Sequence, residues 1–324
     1  CVWVRNAVDE AISAVADLRA QGVEASLLHA RFALGDRRRI EAKQLNRFGK
    51  TGQGRKGRVL VATQVVESSL DLDFDVMVSD LAPMAALIQR AGRLWRHMAL
   101  RPKAERPVPA PVLYVVSPDP ARVHDDRWLV PDLGAGAFVY PIADQWRTTQ
   151  HIFDTGICAP QGLRGLIEAV HGAQAIPLPS ALDDAALRAH GEAMSQRGLA
   201  VQNVIRRDTG YRDGGVAQDD RTYPTRLGIE QLTLVLARRS AAGLIPWIEE
   251  NDTGWHLSEV TASKKRLERL DLPDQTAPEI TPITQHWPEW KRAQTWLCVV
   301  GDDGKICDGL YYTSESGLHF QNVS

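Results

Sequence analysis

The chain has 324 residues, 44% hydrophobic and 24% charged, a balance that argues against wholesale disorder, collagen-like repeats and coiled coil. No run of ~18 apolar residues occurs, so no membrane-spanning helix and no membrane partner are expected. Four cysteines, at 1, 158, 298 and 307, are too scattered for a disulfide scaffold or a paired zinc motif, so a reducing, cytoplasmic setting is the expectation. The net charge of −2 is uneven: residues 1–110 carry 18 basic and 12 acidic side chains, the remainder 20 and 28. The basic excess concentrates between Arg37 and Arg58, where Glu41 is the one acid in the run. Such a run can attract a phosphate backbone or can simply be a solvated helix face.

Cys1-Val2-Trp3-Val4 reads as a strand, with the expectation that the chain is a piece of a longer protein. Asn6 can cap a helix in which Val8, Ile12, Val15 and Leu18 recur at helical spacing, and Gly22 ends it. A second strand lies within Glu24 to Ala30, and a basic helix runs from Leu34 to Phe48. After a glycine-rich loop, Arg58 to Gln64 and Asp75 to Asp80 read as strands. Met84 to Met98 reads as a helix and Val112 to Val116 as a last strand. This alternation predicts an α/β fold, a parallel sheet with helices on both faces, with ligands beyond the carboxyl ends of the strands. Prolines interrupt residues 118–205, where helices are expected near Leu163–Val170 and Ala185–Gly198. From about Arg206, β-prone runs recur at Leu232–Leu236, Trp255–Val260, Thr295–Val300 and Leu310–Tyr312, predicting a small α+β C-terminal domain. The expected organisation is 1–125, a connector with linker helices over 126–205, and an accessory domain over 206–324.

Two stretches carry candidate chemistry. In Val59 to Asp71 a buried strand delivers Thr63 to its carboxyl end, and a turn and short helix then present Asp71. A hydroxyl with an adjacent backbone N–H can hold a phosphate, and a carboxylate can accept from a ribose hydroxyl. A core strand followed by a helix cap is the plainer alternative. In Gln89 to His97, helical spacing puts Gln89, Arg93 and Arg96 on one stripe and Arg90 and His97 on a parallel one. Like charges at that spacing mildly destabilise a helix and suit an anion, a polyphosphate above all. A surface salt-bridge helix is the alternative.

Three imitations fail on spacing. Gly49-Lys50-Thr51 lacks the glycine five residues earlier that a phosphate-binding loop needs, since position 44 is Gln. Asp71, Asp73 and Asp75 imitate a calcium loop, but positions six and twelve are Val76 and Ala82. His124-Asp125 is a lone dipeptide without further metal ligands.

Val61 to Asp75 with Leu81-Ala82-Pro83 and Gln89 to His97 resemble motifs V and VI of superfamily-2 helicases. In wording they resemble the helicase–nuclease of type I CRISPR interference. Leu28 to Phe32, Asp36 to Glu41 and Phe48-Gly49-Lys50 look like the same family, as do Trp146-Arg147-Thr148 and Thr222 to Gly228 more thinly. Position 68 is Ser where the family often has Gln, and position 95 is Trp where it often has His. The resemblance implies a second RecA-like domain, a helical linker and a C-terminal accessory domain of an ATP-dependent 3′-to-5′ single-stranded DNA translocase in antiviral defence. An HD nuclease domain with its metal ions, and a first RecA-like domain with the ATP loop and Mg²⁺-binding acids, would lie outside these residues. By resemblance Arg93 and Arg96 are arginine fingers, Gln89 sits near the γ-phosphate or attacking water, and Asp71 contacts the nucleotide ribose. Thr63, His29, Arg31 and Arg38 of the Arg37–Arg39 cluster would lie along the nucleic acid. A Cascade-type surveillance complex is the implied partner. Other superfamily-2 DNA or RNA helicases, and a non-enzymatic nucleic-acid-binding module, remain as alternatives. Thr63-Gln64 in place of the generic Thr-Asp disfavours the first, and the retained Arg93 and Arg96 disfavour the second.

Overall fold

Five short hydrophobic runs assemble a sheet in the computed structural model, which describes residues 1–68, 70–173, 175–202 and 230–321. The strands are β1 (Val2–Val4), β2 (Glu24–Leu28), β3 (Arg58–Ala62), β4 (Val76–Asp80) and β5 (Val112–Val116), in the order β2-β3-β1-β4-β5. Every pairing is parallel; Val4 of β1 stands between Ala62 of β3 and Ser79 of β4. A parallel sheet must be covered on both faces, which is why these strands are nearly continuous runs of apolar residues. The helices between them are α1 (Val8–Ala20), α2 (Leu34–Phe48), α3 (Val65–Ser68) and α4 (Met84–Ala91). α1 buries Ala11, Ala14 and Val15, and the chain turns out of it through Gly22, whose φ of 78° is open to glycine at little cost.

The chain divides into two compact units, Cys1–Ala30 with Arg37–Arg188, and Arg31–Asp36 with Ala189–Ser324. One core of the first unit holds Val2, Val4, Leu28, Phe48, Leu60, Phe74 and Met77. The other packs Leu81, Ala82 and Leu87 against Trp128, Leu129, Leu133, Trp146 and Leu182. Of the later residues, Leu133 lies in α5 (Val130–Leu133) and Trp146 in α6 (Ile142–Thr155); α7 (Leu163–His171) packs Leu166 and Val170 against Met84, and α8 (Asp183–Gln202) follows Leu182. Trp128 and Trp146 satisfy their indole N–H groups on the carbonyls of Asp119 and Pro120, at 3.1 Å each. Buried indoles usually find a polar exit of this kind.

In the second unit, β6 (Gln231–Ser240) pairs antiparallel with β7 (Gly243–Pro246) and β8 (Glu259–Ser263), and parallel with β9 (Thr295–Val299). Strands β10 (Lys305–Cys307), β11 (Leu310–Thr313) and β12 (Gly317–Phe320) form a second, antiparallel sheet. Short helices α9 (Gly254–Leu257), α10 (Lys264–Leu267), α11 (Thr281–Thr284) and α12 (Glu289–Gln294) complete it. The core spans both sheets through Leu234, Leu236, Cys298, Leu310, Tyr312 and Leu318, with Ala33 of the 31–36 segment. Asp36 anchors that segment: its Oδ2 accepts from Tyr312 Oη at 2.6 Å and Trp247 Nε1 at 3.0 Å. Four of the unit's five tryptophans are half-buried, and Trp290 is 60% exposed. The fold is thus the parallel sheet plus a smaller α+β unit that strand–helix alternation and the later β-prone runs indicate, and the sheet agrees with the RecA-like domain that the motif resemblance implies. Thr222 to Gly228 lie outside the described residues. No helix among the described residues is long and apolar enough to cross a membrane.

Candidate functional site

The carboxyl ends of β1, β3 and β4 meet around Asn6. Its expected role was a helix cap, but Ala7 occupies the N-cap position of α1 with no side-chain bond. Asn6 instead donates from Nδ2 to Leu81 O at 2.6 Å and accepts at Oδ1 from Arg90 Nη2 at 3.1 Å. Its backbone N–H donates to Asp80 Oδ2 at 2.9 Å. These long-range bonds satisfy more buried polar atoms than a local cap would, and they fix the ends of two central strands. Asp80 also pairs with Arg5 Nε at 3.0 Å. Burial, the largest influence, raises its carboxyl above the usual range, against Arg5, the Asn6 N–H and Arg90.

Arg90, near the end of α4, has 0% exposure. A buried cation is tolerated only when its donors are used, and Arg90 uses all three nitrogens. Nε binds Glu67 Oε1 at 2.8 Å, Nη1 binds Ser79 Oγ at 2.8 Å and Asp80 O at 3.0 Å, and Nη2 reaches Tyr140 Oη at 3.3 Å besides Asn6. One guanidinium therefore joins α4, α3 and the ends of β1 and β4.

The helix expected through Met98 stops at Ala91, with Gly92 as its C-cap. The physical reason is a competing partner. Phe74 captures Leu94 in an isolated bridge, its N–H donating to Arg93 O at 2.9 Å and its O accepting from Trp95 N at 3.0 Å. Trp95 takes φ 49°, a left-handed conformation that costs of order 1–3 kcal/mol in a non-glycine residue, and its burial holds it there. Gln89, Arg93 and Arg96 are consequently not one helical stripe. Gln89 is exposed on α4, while Arg93 and Arg96 stand on the turn beyond it.

The two turn arginines are held differently. Arg93 is 7% exposed and donates from Nε to Val66 O at 3.0 Å and from Nη2 to Glu67 O at 2.6 Å, capping the carbonyls of α3. Burial first, then the neighbouring Arg96 charge, depress its affinity for a proton, with Asp71 opposing. Arg96 has a side chain 42% exposed and donates from Nε to Asp71 Oδ1 at 2.7 Å. His97 Nε2 lies 3.0 Å from the same oxygen. Burial is the largest single influence on the Asp71 carboxyl and raises it, but the Arg96 bond with the charge and bond of His97 outweighs it. The carboxyl is held below the usual range. Asp71, Arg96 and His97 thus form an exposed carboxylate–cation group at the mouth of the turn, with Arg93 behind it.

Asp73 and Asp75, which imitate a calcium loop in sequence, are ligands of arginine instead. Asp73 is fully buried and binds the Arg96 N–H at 2.9 Å and Arg106 Nη1 at 3.0 Å. Asp75 binds Arg101 Nη2 at 2.6 Å and Arg106 Nη1 at 3.1 Å. Arg55 completes the frame, donating to the carbonyls of Asp73 at 2.7 Å and Gly49 at 2.8 Å. No group of three or more His, Cys, Asp or Glu that could hold a metal ion occurs among the described residues.

The other expected residues take separate positions. Thr63 is buried just beyond β3, its N–H on Leu28 O at 3.2 Å, and His29 is buried just beyond β2. Arg38 is exposed on α2 in the first unit, and Arg31 belongs to the second. Sequence reasoning missed the Glu67–Arg90 pair, the Asp73/Asp75–arginine frame and Tyr140. Each spans at least 15 residues of chain, and no local period marks a pair across such a gap.

Comparison with known proteins adds to this geometry. Residues 1–99 match the family model described as CRISPR-associated nuclease/helicase Cas3, C-terminal. The CRISPR-associated endonuclease/helicase Cas3 of Escherichia coli strain K12 is 40% identical over 134 residues, which cover 40% of this chain and 13% of that protein. The crystal structure of T. fusca Cas3 shares the fold with a TM-score of 0.73 at 25% identity, covering 98% of this chain and 39% of that one. A CRISPR RNA-guided surveillance complex in a pre-nicking state contains a chain similar at a TM-score of 0.66 and 26% identity, over 98% of this chain and 40% of that one. The chain therefore spans well under half the length of these relatives.

Proposed function

We propose that this chain, whose residues 1–99 match the Cas3 C-terminal family model, is the second RecA-like half and accessory unit of an ATP-dependent 3′-to-5′ single-stranded DNA translocase in CRISPR antiviral defence. The observation that carries the reading is the pairing of Arg96 with Asp71 on the turn after α4, backed by Arg93. Two guanidiniums beside a carboxylate suit a nucleoside triphosphate: planar forks for phosphate oxygens and an acceptor for a ribose hydroxyl. Solved T. fusca Cas3 with ATP has the same fold at a TM-score of 0.73, which supports a nucleotide at this site.

Bound ATP with Mg²⁺ would supply the phosphoryl transfer that drives movement, its loop and acidic ligands coming from residues outside this chain. Arg96 exchanges the Asp71 carboxylate for phosphate oxygens and neutralises charge that develops there. Asp71, released by that exchange, accepts from the ribose. Arg93 is the second arginine finger behind Arg96, and through the two carbonyls it caps it also keeps α3 in place, so Thr63, just before α3, holds its position at the end of β3. Gln89 orients the attacking water. Arg38, exposed on α2, contacts the DNA; Thr63 and His29, both buried, shape the carboxyl ends of β3 and β2 beside it, Arg31 makes a separate contact from the second unit, and a Cascade-type complex delivers the strand, as the similarity to the surveillance-complex chain supports.

The test compares the purified chain with the same chain joined to the phosphate-loop half of a Cas3 relative, both with ATP and single-stranded DNA. The joined protein is expected to hydrolyse ATP on adding DNA and the chain alone to show none. Turnover by the chain alone that survives further purification would contradict the half-site reading.

A further inference from the structure

A tyrosine outside both motif stretches reaches into the arginine site. Tyr140 stands just before α6, and its phenol oxygen accepts from Arg90 Nη2 at 3.3 Å. The side chain of Gln64, the residue after Thr63, donates to the same oxygen and, from Nε2 at 2.8 Å, to Asn6 O. Burial pushes the phenol above its ordinary range, against the Arg90 charge, with the Glu67 charge adding to burial and the Gln64 and Arg90 hydrogen bonds opposing it. The phenol therefore keeps its proton at neutral pH.

The turn that carries Tyr140 is fixed on two sides. Gln145 of α6 is fully buried and donates from Nε2 to the carbonyls of Ala137 and Tyr140, at 3.0 Å each. Towards the strand ends, the Ala135 N–H donates to Glu10 Oε1 at 3.3 Å, and Asn6 Nδ2 lies 3.5 Å from Gly136 O. Phe138 is 66% exposed and Val139 43%, so burial of these two side chains does not hold the turn. Polar ties hold it, and the phenol is the tie that joins it to both motif stretches. Arg90 does not need the phenol to satisfy its charge. Glu67, Ser79, the Asp80 carbonyl and Asn6 already occupy all three of its nitrogens. What the phenol adds is one acceptor shared by Gln64, at the carboxyl end of β3, and Arg90, on α4. Gln64 follows Thr63, which shapes the strand end beside the DNA, and Arg90 follows Gln89, which orients the attacking water.

We propose that Tyr140 is a positioning residue for ATP hydrolysis: its phenol oxygen ties the connector to Gln64 and Arg90, and so keeps Gln89 and the end of β3 in register with each other. This rests on the reading of the chain as half of an ATP-dependent DNA translocase. A displacement of ~1 Å at a positioning group can cost ~10²-fold in rate, and loss of the hydroxyl with the ring retained should cost less.

The test uses the joined, phosphate-loop-completed protein at saturating single-stranded DNA. Tyr140→Phe should lower kcat about tenfold and leave KM for ATP within about twofold. Gln64→Met should lower kcat too, and the double variant should cost no more than the larger single change, because both remove the same tie. In the whole chain, the urea midpoint by tryptophan fluorescence should fall far less in Tyr140→Phe than in Arg90→Ala. An unchanged kcat in Tyr140→Phe, with Arg96→Ala inactive, would overturn this inference and leave the translocase reading intact. So would costs that simply add in the double variant, or a urea midpoint as low as that of Arg90→Ala. No DNA-stimulated turnover by the unaltered joined protein would remove the broader reading and this inference together.

Discussion

Arg90 and Arg96 are six residues apart; the first has 0% exposure and the second has a side chain 42% exposed. Around Arg90 the partners are Glu67, Ser79, Asp80, Asn6 and Tyr140, drawn from four separate stretches of chain. Around Arg96 the side-chain partners are Asp71, one exposed carboxylate shared with His97, and the Gly92 carbonyl at 3.4 Å. A cation enclosed by fixed acceptors cannot leave them without exposing a buried charge, so it holds the frame. A cation on one solvated carboxylate can trade that partner for another anion, because water screens the exchange. The same residue type therefore serves as a rivet at the end of α4 and as an exchangeable ligand one turn later. Gly92, where the helix gives way to backbone captured by Phe74, is the boundary between them.

The contrast can be broken first at Arg90. Arg90→Ala leaves the half-buried Glu67 without its cation and the buried Asn6 and Ser79 side chains without their donor, and should cost about 3–5 kcal/mol, seen as a lower urea midpoint by tryptophan fluorescence. Arg90→Lys should recover only part, since one ammonium cannot reach all the acceptors. Stability equal to the unaltered chain in Arg90→Ala would refute the rivet. A smaller effect sharpens the other side. By carboxyl NMR, Asp71 should titrate below the usual ~3.9 and move upward in Arg96→Ala. The sign follows from the lowered folded pKa: any stabilisation from Asp71 is complete above ~3.9 and lost as pH falls through the lower folded value. Asp80 should titrate on the other side of ~3.9, because burial raises it.

Much of this was legible in the residues. Leu34–Phe48 and Val112–Val116 occupy the expected spans, because the basic amphipathic period and the β-branched run each had no rival. Met84–Met98 did not hold, since no local rule weighs Gly92 against a strand partner at Phe74. Trp255–Val260 reads as one β-prone run but is the short helix Gly254–Leu257 followed by strand Glu259–Ser263, the ambiguity expected of short apolar runs. The proximity of Asp71 and Arg96 followed from the motif resemblance, whereas the hydrogen bond between them did not. The buried state of Arg90 was invisible because its partners come from 10 to 84 residues away.

The central claim is that Arg96 leaves Asp71 to stabilise charge on a transferring phosphoryl group. It is tested most directly by the affinity of the joined, phosphate-loop-completed protein for ADP–aluminium fluoride compared with a non-hydrolysable ATP analogue. In Arg96→Ala the account predicts a fall of roughly 10³-fold or more for the transition-state mimic, a much smaller change for the ATP analogue, and poor rescue by Arg96→Lys. Equal affinity of Arg96→Ala and the unaltered protein for the mimic would contradict it.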